Sequence, residues 1–107
     1  MAKRLEIKVM TGDLAGKVFA VPDGGLRLGR SSSNDVHIVD EELSRNHCIF
    51  EPDGESAIRV IDLASANGTY VNGTALGSSP VVLKEGDRIE VGSTLVHVVD
   101  AHEEEVV

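Results

Sequence analysis

The chain has little with which to build disulfides, metal centres or membrane spans. Its 107 residues hold a single cysteine, Cys48, and no tryptophan. A lone thiol excludes an intramolecular disulfide framework, and it leaves no second sulfur to join any of the four histidines in a zinc site. A reducing, cytoplasmic setting is therefore expected, and no metal. No apolar run approaches the length of a membrane span. The start, Met1-Ala2-Lys3-Arg4, carries two cations but leads into an alternating segment, where a secretory signal needs an uninterrupted apolar stretch. Positive charge is also scarce, with 10 Lys+Arg against 18 Asp+Glu and a formal net charge of -8. Such a balance repels nucleic acid and anionic membrane, and no basic run or aromatic-interleaved stripe offsets it. The aromatics are only Phe19, Phe50 and Tyr70, so Val, Ile, Leu and Ala must fill the interior. Several of these are β-branched and stiff, which favours sheet over helix. Helical periodicity over ten residues and internal repeats are both missing.

What remains is the pattern of one small all-β domain. Leu5, Ile7 and Val9 alternate with Glu6 and Lys8, as in a half-buried strand. Further strands are expected at Lys17 to Val21, Leu26 to Leu28, Val36 to Ile38, His47 to Phe50, Ile58 to Asp62, Thr69 to Val71, Arg88 to Val91 and Leu95 to Val99. Turn residues separate them: Thr11 to Gly16, Pro22-Asp23-Gly24-Gly25, Pro52-Asp53-Gly54, Asn72-Gly73 and Glu85-Gly86-Asp87. Many short strands punctuated in this way predict a β-sandwich of two mostly antiparallel sheets. The domain is expected to occupy residues 1–100. The polar, acidic stretch His102-Glu103-Glu104-Glu105 within residues 101–107 reads as a solvated tail or linker.

Three polar clusters lie at the ends of these strands: Gly29-Arg30, Ser44-Arg45-Asn46-His47, and Asn67-Gly68-Thr69-Tyr70-Val71-Asn72-Gly73. Arg30 offers a planar fork of donors, Ser44 a hydroxyl, Arg45 a second cation, and Asn67 an amide that both donates and accepts. Together they suit a phosphate carried on a peptide. Because the net charge opposes an anionic ligand at long range, such a site must rely on these local cations, and association should not be strongly steered.

The order and spacing of the clusters resemble the forkhead-associated (FHA) domain, a phosphothreonine-peptide binding module. The similarity runs from about Leu5 to Val99. It is carried by Leu26-Arg27-Leu28-Gly29-Arg30, then Asn34-Asp35-Val36-His37-Ile38, then Ser44 to Phe50, then Asp62 to Gly73, and last Leu83 to Gly92. Any one segment alone is a weak signal, whereas all five in order are a strong one. The resemblance implies a sandwich with its binding loops gathered at one end. It implies that Arg30, Ser44 and Arg45 contact the phosphate, that Asn67 bonds the peptide backbone, and that His47 braces the site. Gly29, Gly68, Thr69, Asn72 and Gly73 would complete the scaffold. It also implies a threonine preference, since family members bury the extra methyl in a small apolar pocket.

Each residue has a plainer reading as well. Arg30 could be a surface arginine paired with Asp35 or Asp40, Ser44 a turn or capping serine, and Asn67 the first residue of an Asn-Gly turn. His47 three residues from Ser44 raises the idea of a hydrolase. Yet no Gly-x-Ser-x-Gly elbow or oxyanion-hole motif accompanies the pair, so no catalytic residue is assigned. Cys48 alternates with His47 and is expected in the core. One departure matters: Ala66 stands where family members commonly carry Thr or Ser, so a hydroxyl near the phosphate is missing. Glu42, two residues before Ser44, places an anion near the peptide path and disfavours acidic ligand residues there. The expected function is a non-catalytic, monomeric reader of a Ser/Thr kinase's product, with no cofactor. The alternative is an adaptor of the same fold that binds partner proteins without phosphate.

Overall fold

A computed structural model describes residues 4–101, which form eleven strands in two sheets. The acidic stretch from His102 lies outside the described residues, as do Met1 to Lys3. In chain order the strands are β1 (Leu5–Val9), β2 (Val18–Ala20), β3 (Leu26–Gly29), β4 (Val36–His37), β5 (Cys48–Asp53), β6 (Ala57–Asp62), β7 (Thr69–Val71), β8 (Thr74–Ala75), β9 (Val81–Leu83), β10 (Arg88–Val91) and β11 (Thr94–Asp100). One sheet has the order β2-β1-β11-β10-β7-β8 and the other β4-β3-β5-β6-β9. Every pairing is antiparallel except β3 with β4. Among the described residues no helix is long and apolar enough to cross a membrane.

Period-two alternation decides which face of each strand goes inward. Leu5, Ile7 and Val9 of β1 are buried beside Val96 and Val98 of β11 and Ile89 and Val91 of β10. Facing them are Leu26 and Leu28, Cys48 and Phe50, and Ile58 and Val60 from the second sheet. Phe50 is fully buried and is the largest side chain to be so among the described residues. Cys48 takes the inward position expected of it, where burial pushes its thiol pKa far up and the nearby Asp62 carboxylate adds to the shift.

The strands differ from sequence expectation in ways that have physical reasons. Two were not expected, β8 and β9. Val81-Val82-Leu83 has no alternation to read, because β9 is an edge strand that buries only Leu83 and leaves Val82 58% exposed. His47 lies just before β5 instead of within it, and β5 continues through Pro52, which was read as a turn residue. Pro52 is tolerated because pairing with β3 ends at Phe50, so at Pro52 the strand has a neighbour on one side only. Asn72-Gly73 does form a turn: both residues have positive φ, 50° and 86°, and join Val71 to its partner Thr74. That is the two-residue primed turn whose twist matches a hairpin.

Because Phe50 sits fully enclosed between the sheets, Phe50→Ala should cost about 3–5 kcal/mol. Urea unfolding followed by circular dichroism measures this as a drop in midpoint with the slope retained.

Candidate functional site

Three loops meet at one end of the sandwich, those following β3, β4 and β6, and main-chain bonds stitch them together. Arg30 N–H donates to the Ser44 carbonyl at 3.0 Å and Ser31 N–H to the Arg45 carbonyl at 3.1 Å. The Asn34 amide, 7% exposed, donates to the Ser31 carbonyl at 2.9 Å and again to the Arg45 carbonyl at 2.6 Å. Gly29 makes this closeness possible. A Cβ there would lie 2.2 Å from the Arg45 carbonyl oxygen and 2.8 Å from Asn34 Nδ2, so no side chain fits without moving backbone. Asn34 belonged to one of the resembling segments but carried no assigned role, since nothing in its sequence context distinguishes a buried loop asparagine from an exposed turn one.

His47 joins the second loop to the third from inside the fold. It is fully buried. Ser44 N–H donates to Nδ1 at 3.1 Å, so Nδ1 is the unprotonated nitrogen and Nε2 carries the proton, which it donates to the Gly68 carbonyl at 2.8 Å. Gly68 has a φ of 85°, the left-handed region that turns its carbonyl into this bond. Both ring nitrogens are thus engaged with main chain. The Ser44 hydroxyl has another partner, accepting the Ala66 N–H at 2.8 Å, and Asn67 Nδ2 donates to the Glu42 carbonyl at 2.7 Å.

Beneath the third loop, Asp62 gathers donors. Its Oδ1 accepts the hydroxyls of Ser65, at 2.5 Å, and of the fully buried Thr69, at 2.7 Å, while Oδ2 accepts Ser65 N–H at 3.1 Å. Burial alone would raise this carboxyl's pKa. The hydroxyl and amide donors of Ser65 and Thr69 outweigh that and hold it below the ordinary carboxylate value.

The structure therefore brings Arg30, Ser44, Arg45, Asn67, Gly29, His47, Gly68 and Thr69 into one cluster. It does not bring Asn72 and Gly73 there. β7 starts at the loop cluster with Thr69 and runs away from it, so Asn72 reaches the opposite end of the sheet. There its side-chain Nδ2 donates to Asp87 at 3.0 Å and its side-chain Oδ1 accepts Arg88 N–H at 2.9 Å. Their place in the scaffold is that remote turn, not the loop cluster.

The side chains left over define what the cluster can do. Arg30 uses Nε on the Leu43 carbonyl at 3.1 Å, which fixes the guanidinium and leaves both terminal nitrogens. The pairing with Asp35 or Asp40 does not form: Asp35 accepts Arg27 N–H, and Asp40 accepts Glu42 N–H, Ser93 N–H and the Thr94 hydroxyl. Among the described residues neither Arg30 nor Arg45 is held in an ion pair. The Ser44 oxygen accepts from Ala66, so its own hydrogen is available outward.

A carboxyl held below its ordinary pKa contributes stability that is fully present above about pH 4 and is lost as pH falls further. Asp62→Asn should therefore destabilise the domain at pH 7 and flatten the acid limb of the stability curve below about pH 4. Denaturant midpoints measured from pH 7 to pH 2.5 test both effects.

Comparison with known proteins agrees with this architecture. A family profile described as the FHA domain matches residues 26–92. The chain is 37% identical over 84 residues to an oxoglutarate dehydrogenase inhibitor of Corynebacterium jeikeium, covering 78% of this chain and 56% of that protein. It is 34% identical to the glycogen accumulation regulator GarA of Mycolicibacterium smegmatis, with 78% and 51% covered. The chain thus spans about half the length of the curated relatives it matches. A solved FHA domain, described in terms of phosphothreonine-dependent interactions, superposes with a TM-score of 0.78 at 26% identity, covering 89% of this chain and 94% of the other. With the profile spanning all three stitched loops and the fold superposing over most of the chain, this chain belongs to the FHA domain family.

Proposed function

We propose that this chain is a non-catalytic module that binds phosphothreonine in an extended peptide. It would couple a Ser/Thr kinase to protein assembly, acting as a monomer in a reducing, cytoplasmic setting. One observation carries the reading: within a single bonded cluster, the groups that remain free are the donors a phosphate needs. Arg30 supplies two parallel N–H groups from a guanidinium already anchored through Nε. Ser44 supplies its hydroxyl hydrogen, and Arg45 a second exposed cation. Asn67, tied to the Glu42 carbonyl by one N–H, keeps a second N–H and its oxygen for the ligand's main chain. Gly29, Asn34, His47, Gly68 and Thr69 hold these groups in place without facing the ligand.

The missing hydroxyl at Ala66 is partly made good. The main-chain N–H of Ala66 orients Ser44 and so contributes to the cradle through another residue's side chain. A hydrolase reading fares poorly, because His47 spends both nitrogens on main chain and Ser44 Oγ accepts from Ala66. Phosphate capture here rests on positioned donors alone.

Truncating a charged donor of a desolvated pair costs about 2–5 kcal/mol, so Arg30→Ala should weaken binding of a phosphothreonine peptide at least roughly thirtyfold. The fold should persist, since the side chain's own bond is a single one to Leu43 O. Titration calorimetry with phosphorylated and unphosphorylated forms of one peptide decides, and unchanged affinity in the variant would end the assignment. Binding should also weaken as pH falls from 7.5 to 5.5. The second phosphate pKa is about 6 and the arginines stay charged, so only the ligand loses charge in this window.

A further inference from the structure

The sequence holds two Asn-Gly dipeptides, Asn67-Gly68 and Asn72-Gly73, and the fold treats their side chains differently. Such a pair is chemically labile in any polypeptide, because a glycine nitrogen, unhindered by a neighbouring Cβ, can attack the asparagine's amide carbon. Asn72 is held against this. Its Nδ2 donates to Asp87 at 3.0 Å, its Oδ1 accepts Arg88 N–H at 2.9 Å, and with a φ of 50° it is locked into the two-residue turn between β7 and β8. Asn67 is exposed, and its side chain has one tie, from Nδ2 to the Glu42 carbonyl at 2.7 Å. Among the described residues neither Asn67 Oδ1 nor Gly68 N–H has a hydrogen-bond partner. The same loop carries Ala64 at a φ of 55°, in the left-handed region that a Cβ disfavours, so opening the loop relieves strain.

Building on the phosphopeptide reading, we propose that Asn67 is a site of spontaneous deamidation whose conversion shuts the cradle, so that an unliganded domain loses its binding capacity with age. Gly68 N gives its proton to hydroxide and attacks Asn67 Cγ. The new N–C bond closes a cyclic imide, and Nδ2 leaves as ammonia. Water then opens the ring at one carbonyl or the other, giving aspartate or isoaspartate. One water is consumed and one ammonia released, with no oxidant or phosphoryl donor taking part.

Either product puts a carboxylate where an amide stood, against the Glu42 carbonyl that Nδ2 had bonded and beside the donors that suit a dianion. Isoaspartate does more, because it adds a methylene to the main chain between two pinned points. On one side Ala66 N–H donates to Ser44 Oγ at 2.8 Å, and on the other the Gly68 carbonyl accepts His47 Nε2 at 2.8 Å. The lengthened segment cannot keep both bonds, and loss of the first releases the Ser44 hydroxyl. A bound phosphopeptide occupies the Asn67 amide and covers the loop, so it slows the reaction.

The test ages the full chain at neutral and mildly alkaline pH, folded and in urea, with aspartate and isoaspartate mapped by peptide mass spectrometry. In the folded chain Asn67 should convert roughly three- to tenfold faster than Asn72, the factor that one further hydrogen bond imposes. Urea should erase this difference, alkali should speed both sites, and a saturating phosphothreonine peptide should slow Asn67 alone. The converted fraction, separated by its added charge on an ion exchanger, should bind that peptide at least roughly thirtyfold more weakly, since like charges are brought together. Circular dichroism of each product checks that lost binding is not lost structure. Should the isoaspartate form prove unfolded, the aspartate form and Asn67→Asp carry the comparison. Asn67 converting no faster than Asn72 in the folded chain, a preference that persists in urea, a rate that alkali or peptide leaves unchanged, or a folded product that binds as the parent does overturns the inference and leaves the cradle intact. A parent that takes phosphorylated and unphosphorylated peptide alike overturns the phosphopeptide reading, and this inference with it.

Discussion

The buried imidazole of His47 is the tie on which the loop end of the molecule depends. Loops carry backbone groups that must be satisfied, and a small domain with few aromatics cannot cover them with bulk. His47 solves this with one ring, accepting from Ser44 N–H and donating to the Gly68 carbonyl. The two loops it joins carry Ser44 on one side and Asn67 on the other, adjacent to the residues it grips. Because the ring is fully buried, these bonds are shielded from competing water. Donors tied in this way lose less freedom on capture of a ligand.

A second layer of order extends from that tie. Gly29 lets the β3 end approach the second loop so closely that main chain bonds main chain, and Asn34 spans the same gap with its amide. Asp62 gathers the third loop and Asp40 the β10–β11 turn. In both cases an acidic side chain is held below its ordinary pKa by hydroxyl and amide donors, working against burial. These carboxylates are thus engaged by loop donors and not by Arg30 or Arg45, so a net charge of -8 coexists with two arginines left out of ion pairs among the described residues.

The strand pattern was readable wherever alternation was long enough to fix a face. β1, β7 and β10 lie where the periodicity put them, and Asn72-Gly73 turns as its dipeptide implies. Reading failed where a strand is held by its neighbours alone: β9 has no alternation of its own, and Pro52 enters β5 because its partner on one side has already ended. Among the residues that cluster at the loop end, the charged and hydroxyl groups were legible by type and spacing. The contributions of Asn34 and of the Ala66 N–H did not, for a buried amide and a backbone donor leave no compositional trace. Asn72 and Gly73 were drawn toward the cluster by adjacency in sequence, yet a three-residue strand suffices to carry them to the far side.

One feature of the pairing reaches beyond the loops. Leu5 at the start of β1 sits directly across from Asp100 at the close of β11, while the other ends of these two strands lead into the β1–β2 turn and the β10–β11 turn held by Asp40. The described strands therefore begin and end at the pole opposite the loop cluster.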